Sequence, residues 1–242
     1  MLWIAIALSA IGSLLGALVA SSVLIVSDAV RAKVVKWLIS FAVGTLLGAA
    51  LLKLVPEALE TLSPTATLGT LLAGIFTFFI LEKLVIWRHC HEAESCEVHG
   101  TSAPLVLVGD AVHTFVDGAI IAAATITSIP LGVSAAVAAI AHEIPQEAGD
   151  VAILLHAGYS RRRALVLNLL SGTSGIVGAV AVYFFAARLP GALPFVLAFA
   201  AGSFLYVAMA DLIPDLHRGQ VDRNPVRQVV LIAAGVATLA LL

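Results

Sequence analysis

Long apolar stretches alternate with short polar or Pro/Gly-containing breaks along this chain of 242 residues. A helix that spans a membrane needs about 20 mostly apolar residues, and eight stretches reach roughly that length. They lie at about 2–26, 35–60, 66–87, 104–127, 130–157, 163–188, 192–215 and 225–242. The pattern predicts an all-α integral membrane protein with eight transmembrane helices in a single domain, residues 1–242.

Composition supports a membrane protein independently of the pattern. The chain is 61% hydrophobic and 12% charged, whereas soluble domains carry about 25% charged residues. Too few charges remain to cover a water-facing surface, so membrane lipid is the expected surrounding. The net charge of −2 gives no sign of a nucleic-acid partner.

The distribution of basic residues predicts the orientation. Lys and Arg border the first, third, fifth and seventh connections, at 31, 33, 36, 83, 88, 161–163, 218, 223 and 227. Because positive residues are retained in the cytoplasm, both termini are expected outside. The first stretch lacks a basic leading region, so we interpret it as a retained helix rather than a signal peptide. These features suit a prokaryotic inner membrane.

Two polar segments interrupt the fourth and fifth stretches: VHTFVDG at 112–118 and HEIPQE at 142–147. Ionisable groups at membrane depth usually face the bundle interior, a water-filled cavity or an ion path. Helix geometry puts His113 and His142 about 13 and 12 Å from the same membrane boundary. Nitrogen and oxygen donors at one depth suit a divalent metal such as Zn²⁺.

Helical spacing gathers the donors of each segment on one face. His113 and Asp117 are four residues apart, and so are the pairs 142/146 and 143/147. Pro145 removes a backbone donor, so we expect a broken helix whose Ala141 carbonyl faces a cavity. Asp110 and Asp150 are expected to support the ligands or to line the ion's path. The candidate metal ligands are His113, Asp117, His142, Glu143, Gln146 and Glu147.

A weak internal repeat links the second and seventh stretches. Residues 53–57 read KLVPE and residues 211–215 read DLIPD, and the predicted orientation makes these two helices run in opposite directions. Inverted repeats are a common plan among secondary transporters, although two short matches are also compatible with coincidence. In this arrangement Glu57 lies at the outer opening of the ion path, and Asp215 or His217 lies at its inner opening.

The third connection, 88–103, has a metal-binding composition. Its predicted cytoplasmic position keeps thiols reduced, so a disulfide is not expected. It serves either as a transient acceptor or sensor of metal or as an ordinary polar loop. The candidate ligands are His89, Cys90, His91, Cys96 and His99.

HTFVDG followed by HEIPQEAGD resembles the ZIP (Zrt/Irt-like protein) metal transporter family, nearest to the branch with HNFxDG and HEIPHE signatures. LVPEA, FFILEKLV and LYVAMADLIPD extend the resemblance along nearly the whole chain. The resemblance implies eight helices, with two inverted three-helix repeats around a central pair formed by helices four and five. It also implies movement of Zn²⁺, and in some members Fe²⁺, Mn²⁺ or Cd²⁺, into the cytoplasm, with the metal as substrate rather than cofactor.

The resemblance carries over residue by residue onto His113, Asp117, His142, Glu143 and Glu147 as metal-binding positions. Four positions depart from it: Lys53 replaces a usual His or Met, Thr114 an Asn, Gln146 a His or Glu, and Gly175 a Glu that completes a second metal position in some bacterial relatives. These changes remove donors and argue against a two-metal centre. Lys53 either pairs with Glu57 or occupies the space of the missing metal.

Two other functions remain as alternatives. A metal sensor or transport-inactive relative is suggested by Lys53, Thr114 and Gln146. An intramembrane metallohydrolase is suggested by the HExx sequence, but the zincin motif requires a second His where Gln146 stands, and we expect no enzyme. Glycine-rich faces are compatible with a homodimer and equally with packing inside one chain.

Overall fold

The computed structural model of the chain describes residues 1–22, 28–89, 102–217 and 224–242. All regular structure in these ranges is helical. In chain order the α-helices are α1 (Leu2–Ser22), α2 (Asp28–Gly48), α3 (Val55–Leu59), α4 (Pro64–His89), α5 (Ser102–Thr127), α6 (Ile129–His156), α7 (Arg161–Gly172), α8 (Ser174–Arg188), α9 (Leu193–Tyr206), α10 (Ile213–His217) and α11 (Pro225–Leu241). Two π-helical segments, π1 (Ala49–Leu54) and π2 (Val207–Leu212), and a short 3₁₀ turn (Pro190–Ala192) complete the list.

Six helical segments in these ranges are long and apolar enough to cross a membrane. They are Leu2–Val19, Trp37–Leu59, Pro64–Leu81, Leu107–Thr127, Arg161–Arg188 and Leu193–Ala210. α6, which carries the polar HEIPQE segment, is 28 residues long but is not among the six, and Pro225–Leu241 is apolar but shorter. The fold is that of a helical membrane protein, and the eight-span count stays a prediction.

The helices pack around α5 and α6. These two helices contact each other, α5 packs along α8, and α6 packs along α1. Two further pairs, α2 with α11 and α4 with α9, flank this centre. The turn between α5 and α6 is a single residue, Ser128, whose side chain caps α6 by accepting from Leu131 N at 3.3 Å. So short a turn forces α5 and α6 into antiparallel contact.

The two π-helical segments have the same design. In π1 the Val55 N–H donates to the Ala50 carbonyl, and in π2 the Ile213 N–H donates to the Ala208 carbonyl, each five residues back. A proline, Pro56 or Pro214, follows immediately. Because proline supplies no N–H and its ring crowds the preceding turn, a local widening of the helix accommodates it. These wide turns fall on the two segments that the sequence links as a repeat.

Glycines permit the closest helix crossings in both flanking pairs. A Cβ on Gly44 of α2 would overlap the Ile232 carbonyl oxygen of α11, and one on Gly202 of α9 would overlap the Leu71 carbonyl oxygen of α4. Gly235 and Gly74 face them from the partner helices. The backbones therefore meet without intervening side chains, as in membrane helices that associate through small residues.

One local expectation is wrong. The helix expected to break at Pro145 is continuous, since α6 runs from Ile129 to His156; a single missing N–H leaves the bonds of the adjacent turns in place. The predicted spans 35–60 and 163–188 match the membrane-length segments Trp37–Leu59 and Arg161–Arg188. Within them the helix is subdivided: α2 begins already at Asp28, and the later span consists of α7 and α8, which meet at Thr173.

Candidate metal centre

Three donor atoms from the two central helices converge to within 4.8 Å of one another, and they belong to His113, Asp117 and His142. His113 Nε2 lies 3.1 Å from His142 Nε2. Asp117 Oδ2 lies 2.9 Å from His142 Nε2 and 3.5 Å from His113 Nε2. The side chains of His142 and Asp117 are almost completely buried, at 1% and 3% exposed, and that of His113 is 15% exposed.

These separations suit a shared metal ion. With ligand distances of about 2.0–2.1 Å, two ligands of tetrahedral Zn²⁺ lie roughly 3.3 Å apart, and the three observed edges of 2.9, 3.1 and 3.5 Å bracket that value. His113 and Asp117 come from successive turns of α5, and His142 comes from the facing turn of α6. Two imidazoles and one carboxylate leave room for a fourth ligand, which suits an ion that enters and leaves.

A backbone hydrogen bond fixes how His142 presents its ring. Its Nδ1 lies 2.9 Å from the Ala138 carbonyl oxygen, and a carbonyl only accepts, so Nδ1 carries the proton. Nε2 then faces Asp117 Oδ2 with a lone pair, and two acceptors at 2.9 Å require a proton or a cation between them. Metal-bound histidines typically donate their other ring N–H in this way.

Aromatic rings hold both imidazoles from outside. Phe78 of α4 meets His113 edge to face at a centroid distance of 6.1 Å, and Phe204 of α9 meets His142 at 5.9 Å. The imidazoles themselves are 5.3 Å apart with planes at 81°. The row of four rings ties the metal centre to α4 and α9, the two helices that pack together in one flanking pair.

Beyond this centre the α5–α6 interface is acidic. Asp110, Glu143 and Glu147 are all buried, and their carboxylates interact electrostatically with one another. Both carboxylate oxygens of Glu143 and of Glu147, together with Asp110 Oδ2, have no hydrogen-bond partner. Buried charges are costly unless paired or bound to metal, so this surface is suited to cations.

The remaining candidate residues take other positions. Glu143 and Gln146, expected at the ion, are not among the converging atoms; Glu143 instead lies over Gly16 of α1, and Gln146 is half-buried. Thr114 is fully buried, and its hydroxyl lies beside the Glu143 carboxylate. Asp150 is half-buried at the far end of the acidic surface and interacts with Asp110.

The candidate residues away from the central pair are more exposed. Lys53 and Glu57 are half-buried in π1 and α3. Among the described residues, the ion pairs join Asp117 to the two histidines. Lys53 and Glu57, both in these ranges, do not form the expected ion pair. His217 is exposed and donates from Nδ1 to the Ile213 carbonyl at 3.0 Å. Asp215 lies in α10 and His89 ends α4, whereas Cys90, His91, Cys96 and His99 lie outside the described residues.

Sequence reasoning did not find the residues that surround the donors. Phe78 and Phe204 look like ordinary apolar helix residues, and only the packing of α4 and α9 brings them to the imidazoles. Asn168 of α7 is fully buried beside Glu147. Asn168 is recognisable in the sequence as an amide inside an apolar stretch, but the sequence alone does not show which residue it contacts.

Fold and site together define a helical membrane protein with a buried cluster of candidate metal ligands between two antiparallel helices. The family described as ZIP Zinc transporter matches residues 88–242. The chain is also 33% identical over 223 residues to "Zinc transporter ZIP13" of Pongo abelii, a match that covers 85% of this chain and 66% of that protein. The chain belongs to the ZIP zinc transporter family.

Other relatives agree with this assignment. "Zinc transporter ZIP13" of Homo sapiens is 30% identical over 261 residues, covering 85% of this chain and 70% of the relative. "Zinc transporter ZIP10" of Mus musculus is 34% identical over 149 residues, covering 59% of this chain but 18% of that longer protein. The chain thus spans about two thirds of the first relative and under a fifth of the ZIP10 protein. All of these relatives are named as zinc transporters.

Proposed function

We propose that the protein carries Zn²⁺, and in addition Fe²⁺, Mn²⁺ or Cd²⁺ if its site accepts them, across a membrane into the cytoplasm. One observation carries the proposal: the donor atoms of His113, Asp117 and His142 converge within 4.8 Å at the buried interface of α5 and α6. The family's zinc transporters support the same substrate class.

The membrane arrangement that we propose has eight spans with both termini outside. It combines the six membrane-length segments with α6 and α11. Two inverted three-helix repeats flank α5 and α6, and the matched π1 and π2 segments support this layout. The packing supports it too. In such a repeat α1 corresponds to α8, α2 to α9, α4 to α11 and α5 to α6. Under this correspondence the α1–α6 contact matches the α5–α8 contact, and the α2–α11 contact matches the α4–α9 contact.

The proposed site binds the ion through the three converging residues, and Glu143, Gln146 and Glu147 act beside it. A hydrated ion enters past Glu57 and exchanges water for His113, Asp117 and His142. Rocking of one helix group against the other then opens the centre toward the cytoplasm. Asp110 and Asp150, and at the mouth Asp215, His217 and the 88–103 loop, receive the ion.

The cellular setting rests on the charge pattern alone. Lys and Arg are concentrated in alternate connections, and because such residues are retained in the cytoplasm, they support the proposed orientation. We propose from the sequence that the membrane is the inner membrane of a prokaryote. The named relatives are animal proteins and lend it no support. Homodimer formation through glycine-bearing faces is likewise a proposal, and most of the glycines described above already serve contacts within the chain.

Initial uptake of radioactive Zn²⁺ into proteoliposomes tests the function. Wild type should show saturable uptake, and His142→Ala should abolish it by removing the donor nearest to both other ligands. Phe76→Ala is the control, since this α4 side chain is 56% exposed and has no place in the proposed ion path, and it should retain most of the uptake.

Three outcomes separate the candidate functions. Loss of uptake and of Zn²⁺ binding together in His142→Ala supports a transporter with this centre. Binding without uptake in the wild type, lost in His142→Ala, indicates the sensor or transport-inactive alternative. Full uptake by His142→Ala rules out the proposed centre.

A further inference from the structure

Beyond the histidine centre, a buried polar cluster joins three helices. Asp110 of α5, Glu147 of α6 and Asn168 of α7 are 5%, 1% and 0% exposed. Five of their side-chain atoms have no hydrogen-bond partner: Asp110 Oδ2, Glu147 Oε1 and Oε2, and Asn168 Nδ2 and Oδ1. A protein interior rarely leaves so many polar atoms unpaired at one place unless a ligand completes them.

Asn168 is the unusual member of this cluster. It sits in the middle of α7, fully buried, and its amide lies beside the Glu147 carboxylate. Ser171, one turn further, lies beside Asp110, and its hydroxyl donates to the Leu107 carbonyl at 3.2 Å. A buried amide beside the Glu147 carboxylate offers an oxygen to a cation held there.

The cluster is displaced from the histidine centre along the helices. Asp110 lies three residues before His113 on α5, and Glu147 lies five residues after His142 on the antiparallel α6. Both offsets point to the same end of the helix pair, by about 4.5 and 7.5 Å of helix rise. Asp150, half-buried and coupled to Asp110, continues in that direction toward the surface.

We propose that Asp110, Glu147 and Asn168 form a second, all-oxygen binding site for a divalent cation, one step past the histidine centre. Two carboxylates, one amide oxygen and water make a hard ligand set, which suits Mn²⁺ better than the imidazole-containing centre does. The proposal rests on the transport function proposed above, for which the site is the next resting place of the ion. The weaker oxygen ligands let the ion leave.

Mn²⁺ binding to the purified full chain, measured from the loss of the free-Mn²⁺ electron paramagnetic resonance signal, tests the site. The background is His113→Ala/His142→Ala, which removes the imidazoles and leaves the cluster intact. This double variant should still bind one Mn²⁺. Adding Glu147→Gln or Asn168→Leu should weaken that binding about tenfold or more.

A matched control and a converse variant strengthen the test. Thr67→Val removes another buried, unpartnered hydroxyl on α4 and should leave Mn²⁺ binding unchanged. Asn168→Asp supplies a third carboxylate and should tighten Mn²⁺ binding severalfold. If Asn168 only supported Glu147 structurally, the added charge would weaken binding instead, and the proposal would be overturned.

The two proposals fail differently. Absence of Mn²⁺ binding in the double-histidine variant, or binding insensitive to both substitutions, overturns the second site, while histidine-dependent Zn²⁺ uptake by the wild type keeps the proposed function. Absence of Zn²⁺ uptake with intact cluster-dependent Mn²⁺ binding overturns the transport function and leaves the second site standing.

Discussion

Glu143 of α6 packs directly over Gly16 of α1: a Cβ placed on Gly16 would lie 3.1 Å from Glu143 Cβ and 3.2 Å from its Oε2. The Glu143 carboxylate, which lies between the histidine centre and the cluster of Asp110, Glu147 and Asn168, therefore occupies space that is free because Gly16 has no side chain. Small residues at membrane helix interfaces usually serve packing. Here the glycine also leaves space for an ionisable group in the proposed ion path.

We predict that Gly16→Val slows Zn²⁺ uptake by about tenfold while Zn²⁺ binding to the histidine centre persists. The larger side chain has to push Glu143 away from its position, but it does not touch the three converging ligands. Initial uptake rates and equilibrium Zn²⁺ titration measure the two effects. Gly69→Val is the control, because a Cβ at Gly69 meets nothing within 4 Å; equal losses in both variants would contradict the prediction.

The family resemblance aligns Gly175 with a metal-binding Glu of some bacterial members, and we predict that even Gly175→Ala lowers the denaturation temperature in detergent. A Cβ at Gly175 would overlap Ser13 Oγ and lie 3.3 Å from Thr114 Cγ2, and overpacking typically costs about 1–3 kcal/mol. Adding Ser13→Ala should recover part of the loss. A Gly175→Ala variant as stable as wild type would show that Ser13 and Thr114 move aside at no cost in stability. Space for a second metal position would then be available.

Phe204 supports the His142 ring from α9, and we predict that Phe204→Ala weakens Zn²⁺ affinity by about tenfold. The loss follows because a ligand whose orientation is less restricted has more freedom to give up on binding. Calorimetric Zn²⁺ titration measures it. Phe76→Ala is the matched control, since the Phe76 side chain on α4 is 56% exposed. An equal loss of affinity in Phe76→Ala would point to a general effect on folding.

Lys53 occupies π1 and forms no ion pair with Glu57, and we predict that Lys53→His raises metal affinity. An ammonium group repels a divalent cation, whereas a neutral imidazole is a potential ligand. Zn²⁺ titration and uptake kinetics measure the change, with exposed Lys83→His as the control. Unchanged affinity, kinetics and metal selectivity in Lys53→His would count against any role of Lys53 near the ion.

Zn²⁺ affinity should fall as the pH is lowered from about 7.5 to about 5.5, because imidazole binds metal only without its second proton. The sign follows from competition: each added proton occupies the lone pair that the metal needs. Zn²⁺ titrations across this range measure the effect. His113→Ala removes one of the two imidazoles, so the pH dependence of the remaining Zn²⁺ binding should be shallower; an equally steep dependence in this variant would contradict the assignment of a competing proton to His113.

The sequence by itself determined the membrane class and the family. Apolar length, scarce charge and the HTFVDG and HEIPQE segments are local properties, readable without knowing any contact. The i,i+4 spacing also placed His113 with Asp117, and the short break at Ser128 brought His142 to the same depth. It did not show that α6 continues through Pro145, because the loss of one hydrogen bond is outweighed by the intact turns around it.

Only the tertiary structure decided which donors meet. His142 and Glu143 are adjacent in sequence, and about 100° of helical rotation separates them; packing against α5 and α1 turns the first toward Asp117 and the second toward Gly16. The approach of Phe78, Phe204 and Asn168 depends on α4, α9 and α7, whose contacts with the central pair no local pattern encodes. Residues far apart in the chain are brought together by the packing of all the helices at once, and that packing selects the ligands from the candidates.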